Sequence, residues 1–246
     1  MTDQPVYFIV GAAGGIGARL CAQLHQQGAR LALAGRSAEP LEALAAAVDG
    51  LPIPLDARDF AATAAAAEQA RSYFGRLDGV VNLAGSILLK AAHQTSATEW
   101  EQVLAANLTT AFSVLRAAAP ILSRGGGSVV LVSSAAARIG LPNHEAVAAA
   151  KAGVLGLARS AAATYASRGV RVNVVSPGLV RTPLAARIVD HEPSLRASAA
   201  MHALGRIGEP EEVARMIAFL LAPEQGWITG QEFGVDGGLG TLRARS

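Results

Sequence analysis

Cysteine is nearly absent: Cys21 stands alone among 246 residues, so no disulfide forms within the chain and no thiolate metal site is expected. The five histidines, His25, His93, His144, His191 and His202, are scattered without ligand-like spacing, which argues against a structural zinc. Aromatic residues make up only 4%, and 21 Lys and Arg stand among 19 Asp and Glu for a formal net charge of +2. A nucleic-acid surface usually carries a basic stripe with interleaved aromatics, so nucleic acid is not an expected partner. No uninterrupted apolar run approaches the length of a spanning helix, and the opening MTDQPVYF lacks a basic region followed by an apolar core. Neither a membrane span nor a signal peptide is expected, and the expected location is the cytoplasm.

What is plentiful is apolar residue, 51% of the chain, together with 26 glycines. That is enough for a sizeable core in a chain of this length. The stretch Val6 to Leu20, VYFIVGAAGGIGARL, joins a short apolar run to a glycine cluster and then to an amphipathic segment. The run fits a strand buried on both faces, and glycines after it let the chain turn tightly and approach a ligand closely. A helix starting there presents free N–H groups and the positive end of its dipole, which suits the pyrophosphate of a dinucleotide. The main chain of Gly11, Gly14, Gly15, Ile16 and Gly17 is therefore assigned to a cofactor, although Gly11-x3-Gly15-x-Gly17 is not the common G-x-G-x-x-G spacing.

Apolar runs recur at 31–34, 51–55, 79–83, 129–132, 170–175 and 232–235, with alanine-rich segments at 40–48, 61–73, 98–122 and 144–166 and a further helical segment at 211–221. Regular alternation of strand and helix predicts a parallel, doubly wound sheet, and no linker or repeat divides residues 1–246 into more than one domain. About twenty residues past the glycine loop, where an acid marks NAD and an arginine the 2′-phosphate of NADP, the chain has Arg36 followed by Ser37. NADP(H) is favoured over NAD(H), because guanidinium pairs bidentately with phosphate. Asp56 follows the third strand and either accepts a hydrogen bond from adenine or caps the helix that begins near Arg58. Asn82, Ala84 and Gly85 end the fourth strand, where small residues leave room for a ribose.

Taken together, these stretches resemble the short-chain dehydrogenase/reductase family, with its TGxxxGxG, NNAG, YxxxK and PGxxxT motifs, from Val6 to Gly238. The resemblance implies a Rossmann-type sheet of about seven strands with helices on both faces. It also implies an oxidoreductase that reduces a carbonyl or activated double bond, or oxidises the alcohol. Two departures are minor: Val10 replaces the usual threonine before the first glycine, and Leu83 the second asparagine of NNAG. Asn107 matches the family's helix asparagine, Ser134 its catalytic serine, and Lys151 the lysine that bonds the nicotinamide ribose. Ser133 is expected to support these residues from behind. Pro177, Gly178, Val180 and Thr182 match PGxxxT, which holds the carboxamide, and residues 183–208 match the segment that covers a small-molecule substrate. Relatives are dimers or tetramers, built through the two long helices and the C-terminal elements. The small-residue face Ala148-Ala149-Ala152-Gly156 suits such contacts, or else packing within one subunit.

The tyrosine of YxxxK is missing, and position 147 is valine. In the family that phenol is the general acid or base, and a positioned acid or base is typically worth about 10²–10⁴ in rate. Helical spacing places His144, Val147 and Lys151 on one face, so His144 is a candidate replacement, with ordered water as the other. Tyr7, Tyr73 and Tyr165 fall on elements not expected to reach the site. Without a replacement donor, the chain would be a catalytically impaired relative that binds a dinucleotide or a partner subunit.

Overall fold

The computed structural model describes residues 4–243. Seven strands, β1 (Val6–Val10), β2 (Arg30–Gly35), β3 (Leu51–Pro54), β4 (Gly79–Asn82), β5 (Gly127–Val132), β6 (Val170–Pro177) and β7 (Glu232–Val235), form one sheet in the order β3-β2-β1-β4-β5-β6-β7. Every pairing is parallel. The strand order reverses direction between β1 and β4, and in a doubly wound sheet the crevice at that switch point is where ligands bind.

Side-chain alternation along β1 explains the two layers. Val6, Phe8 and Val10 point into a core built with α3 (Phe60–Phe74), α5 (Thr110–Leu122) and α6 (Glu145–Tyr165). Tyr7 and Ile9 point into the opposite core, with α1 (Gly15–Gln26), α2 (Ala38–Val48) and α9 (Pro210–Leu221). Burial on both faces is what selects the near-continuous apolar runs seen in the sequence. Alanines line the helix side of the first core, among them Ala66, Ala67, Ala70, Ala118, Ala158 and Ala162, and let α3, α5 and α6 lie close to the sheet. Cys21 is fully buried in the other layer, where burial pushes its thiol up to about 12.

Register brings the site together. Val10 is level with Ala34 on one side and Asn82 on the other, Asn82 with Leu131, and Val132 with Val175. The loops that leave these strands therefore emerge side by side along one edge. The segment expected at 98–122 is interrupted: α4 (Ala97–Leu104) passes into α5 through a π turn at Ala105–Thr109 that contains Asn107. π turns inside helices often mark functional positions. The segment expected to cover substrate folds as a short 3₁₀ turn at Pro183–Ala185, then α7 (Ala186–Val189) and α8 (Glu192–Met201).

The expected alternative in which Asp56 caps a helix is corrected. The helix starts later, at Phe60, and Asp59 caps it by accepting from the N–H groups of Ala61 and Ala62 at 2.8 and 2.9 Å. Asp56 instead grips Arg58, whose guanidinium holds the carboxyl down near pKa 2. Replacing Asp59 by Ala should therefore cost about 1 kcal/mol of unfolding free energy, and more than Asp56→Ala, in urea titrations. Equal losses in the two variants would contradict this assignment.

Candidate functional site

A cleft of about 200 Å³ opens at the carboxyl edge of the sheet, where the β1, β4, β5 and β6 loops meet. Of the residues assigned from sequence, Gly11, Gly14, Gly15, Ile16, Gly17, Gly85, Asn107, Ser134, Lys151, Pro177, Gly178, Val180 and Thr182 line it. Val147 lines it too, as do Ser86, Ile87 and Leu184, which no motif singled out. Asn82, Ala84, Arg36, Ser37, Asp56 and His144 lie outside this lining. A larger hollow of about 820 Å³ lies at the opposite edge, lined by Tyr7, Asp78, Arg171 and Trp227 among others. Size is a poorer guide here than position, because ligands of such sheets bind at the carboxyl ends of the strands.

The glycine loop is packed as tightly as the backbone allows. Gly11 has φ +81°, and a Cβ there would stand 2.9 Å from the carbonyl carbon of Leu83 and 3.0 Å from Ala84 N. A Cβ on Gly15 would stand 2.8 Å from Thr182 Cγ2, so only glycine lets α1 begin against the β6 loop. Among the described residues no side chain caps α1, and no acid lies in its first turn. By contrast, α3 and α4 are capped by Asp59 and Ser96, and α9 begins with a Glu209–Glu212 capping box. The uncapped N–H groups and the dipole form a seat for an anion. This cradle fits the diphosphate of a dinucleotide. Gly11 to Gly17 would hold that group, Pro177 to Thr182 would face its nicotinamide end, and Arg36 would lie toward its adenosine end.

Behind the cleft, β4 hands over to a polar network. Asn82 is buried; its Oδ1 accepts from Ala84 N at 3.2 Å and its Nδ2 donates to Thr110 Oγ1 at 3.3 Å. The asparagine therefore braces the loop from beneath. Asn107, 1% exposed, accepts from Ser86 N at 3.2 Å and donates to Val103 O at 2.9 Å and Ser86 Oγ at 3.0 Å. A Cβ on Gly85 would lie 2.9 Å from Asn107 Oδ1 and 3.5 Å from Lys151 Nζ, so this glycine lets both side chains close on the loop.

Lys151 is 8% exposed, and its ammonium donates to Val132 O at 2.9 Å. No carboxylate pairs with it among the described residues, and burial lowers its pKa from 10.5 to about 8. Ser133, which also lines the cleft, donates from Oγ to the main-chain Lys151 O at 2.8 Å. Ser134 Oγ accepts from Ala136 N at 3.2 Å, which leaves its own O–H directed by whatever ligand is bound.

Val147 packs with Val103, Ala146 and Ala150 in a small apolar cluster beside the cleft. The shared helical face expected for His144 is corrected: α6 starts at Glu145, and His144 is its N-cap with φ −107° and ψ 9°. Its Nδ1 lies 2.8 Å from Pro142 O, and the helical spacing argument does not extend to a residue outside the helix. Of the tyrosines, Tyr7 belongs to the opposite hollow, Tyr73 is 64% exposed on α3, and Tyr165 ends α6. Tyr7 is held up near 12, first by burial and then by Asp78.

A family model described as "Enoyl-(Acyl carrier protein) reductase" matches residues 11–240. D-threitol dehydrogenase of Mycolicibacterium smegmatis is 37% identical over 96% of this chain and 93% of its own length. A Xanthobacter autotrophicus protein named "Inactive 2-(S)-hydroxypropyl-CoM dehydrogenase 2" is also 37% identical, over 86% of this chain and 95% of its own. Among solved structures, a single-substitution variant of actinorhodin polyketide ketoreductase with NADPH superposes with a TM-score of 0.92 at 28% identity, covering 98% of this chain and 99% of that one.

The buried lysine has a thermodynamic signature. Its folded pKa of about 8 lies below the ordinary 10.5, so between those values the unfolded chain holds a proton that the folded chain has released. Stability contributed by this site therefore rises with pH across that window and is lowest below it. Urea unfolding of the wild type and Lys151→Met from pH 7 to 10.5 should show the wild type gaining on the variant as pH rises; a constant difference would contradict the buried ammonium.

Proposed function

The chain belongs to the short-chain dehydrogenase/reductase family, and on that premise we propose that it is an NADP(H)-preferring oxidoreductase interconverting a carbonyl, or an activated double bond, and its reduced form. The observation that carries this reading is the convergence of Lys151, Ser134 and Asn107 beside an uncapped glycine-rich helix start. The preference for the phosphorylated cofactor rests on Arg36. It has no ion-pair partner among the described residues, while the neighbouring Asp56 is already taken by Arg58. A guanidinium there with no ion pair of its own among the described residues favours a 2′-phosphate.

A dinucleotide held by Gly11 to Gly17 and Pro177 to Thr182 would supply or accept the hydride. Ser134 orients the substrate oxygen through its hydroxyl. Lys151 takes the part that a phenol plays elsewhere: its Nζ–H passes a proton to that oxygen during reduction, and the amine is reprotonated from solvent. With a pKa near 8, burial leaves this ammonium acidic enough to donate at neutral pH. In the oxidative direction the neutral amine receives the proton. Ile87, Leu184 and Val147 give the mouth of the cleft an apolar wall, which suits a substrate with an apolar flank.

A second reading has its own support. Val147 has no proton to give, and the Xanthobacter relative, equal in identity to the first, is named inactive. On this reading the fold holds a dinucleotide or a partner subunit without redox chemistry.

Assembly into a dimer or tetramer belongs to the same proposal. The helical stretches Ala97–Leu122 and Glu145–Arg168 are apolar and long enough to cross a membrane, yet each buries only about half of that apolar window, 56% and 50%. Of the small-residue face on α6, Ala148 is half-buried while Ala149, Ala152 and Gly156 are exposed, so packing within one subunit leaves most of that face open. A second copy would cover it.

Calorimetry with NADPH and NADH, then NADPH turnover with activated ketones and quinones, should give binding tighter for NADPH and a reduction rate that falls as pH rises through about 8. Lys151→Arg keeps the charge but cannot release its proton, so binding should survive while turnover drops about 10²-fold or more; His144→Ala should change neither. Binding without turnover across the whole panel favours the second reading, and unimpaired turnover in Lys151→Arg removes the lysine as donor. In sedimentation velocity the wild type should run as a dimer or larger and Ala152→Glu as a monomer; a monomeric wild type would refute the assembly.

A further inference from the structure

His202 follows α8 directly and is 2% exposed. Its Nδ1 lies 2.7 Å from Ser198 O and its Nε2 3.2 Å from Leu179 N. A carbonyl only accepts and a main-chain N–H only donates, so the ring donates from Nδ1 and accepts at Nε2. One side chain thereby closes the last turn of α8 and holds the loop that leaves β6.

The fit against that loop is close. A Cβ on Gly178 would stand 2.6 Å from His202 Nε2 and 3.0 Å from Cδ2, so the ring occupies the space beside a glycine of the cleft wall. On its other side Leu179 O accepts from Gly208 N at 2.8 Å, and Arg181 N donates to Gly208 O at 2.9 Å. Leu179 is thus fixed through both main-chain groups, its carbonyl by backbone and its N–H by an imidazole from the overlying segment. His202 touches none of the reacting groups; its line of action runs through Gly178 and Leu179.

We propose that His202 is a positioning residue: it sets the Gly178–Leu179 main chain against the nicotinamide end of the dinucleotide and couples that loop to α8. The proposal rests on the dinucleotide reading above. Loss of the bond frees the loop at the point where it must present its main chain, and a buried N–H left without a partner is costly.

The test compares His202→Leu, which removes both bonds, with His202→Gln, whose amide oxygen can reach the place of Nε2. Three readouts are needed: melting temperature, hydrogen exchange at the Leu179 amide in the free protein, and NADPH affinity by calorimetry. The leucine variant should exchange at Leu179 faster by an order of magnitude or more and bind NADPH about 5–10-fold more weakly, the effect of one lost hydrogen bond. The glutamine variant should recover both to within about threefold. If the leucine variant is folded and binds NADPH as the wild type does, or if glutamine restores Leu179 protection without affinity, the positioning role is wrong. If the leucine variant does not fold, failure of the folded glutamine variant to keep wild-type exchange and affinity overturns the proposal just as well. If the wild type itself binds no NADPH, the dinucleotide reading falls first and this coupling falls with it.

Discussion

The carboxyl edge works because side chains are missing where loops must touch. Gly11 lets the β1 turn lie against Leu83 and Ala84, Gly15 lets α1 begin against Thr182, Gly85 admits Asn107 and Lys151, and Gly178 admits the ring of His202. Each contact is already at or inside ordinary van der Waals separation for an added methyl group. The loops from β1, β4 and β6 therefore form one interlocked rim rather than three independent connections. Parallel register supplies the other half of the constraint, bringing Val10, Asn82, Leu131 and their neighbours to the same height.

Within that rim Lys151 bears a desolvation cost. Burying an ammonium without a carboxylate partner disfavours its charged form, which a surface lysine never experiences. Val132 O and the support of Ser133 hold it in place, and the helix that carries it is the one in which valine stands at position 147. The apolar cluster of Val103, Ala146, Val147 and Ala150 backs one wall of the cleft, which Val147 lines, with apolar side chains. An apolar wall offers the ammonium no polar partner and so adds to the desolvation acting on the lysine. The proposed transfer of the proton-handling role from a phenol to an amine thus draws on the same burial that costs the fold stability.

The sheet was legible in the sequence because burial on both faces leaves uninterrupted apolar runs, and all seven expected strands are present within a few residues. The cleft lining was legible where glycines and small residues recur at fixed spacing, as in Gly11 to Gly17 and Pro177 to Thr182. Features set by cap geometry were not. The helix start at Glu145 rather than His144, and the choice of Asp59 over Asp56 as a cap, turn on one residue's backbone angles. The π turn at Asn107 changes no residue type that periodicity could detect. His202 gives no signal in the sequence, because a single histidine beyond a helix carries no pattern; its partners are a carbonyl four residues back and an amide 23 residues away. Ser86 and Ile87 follow the Gly85 turn without any motif of their own, and only the fold brings them to the cleft.

The central claim is that the open start of α1 seats a dinucleotide diphosphate. Hydrogen exchange at the amides of Gly15, Ile16 and Gly17, measured with and without saturating NADPH, tests it most directly, since no side chain among the described residues caps these groups. The account predicts that NADPH slows exchange at these amides sharply while the N-terminal amides of capped α3 and α4 stay unchanged. Equal exchange in the presence and absence of NADPH would contradict it.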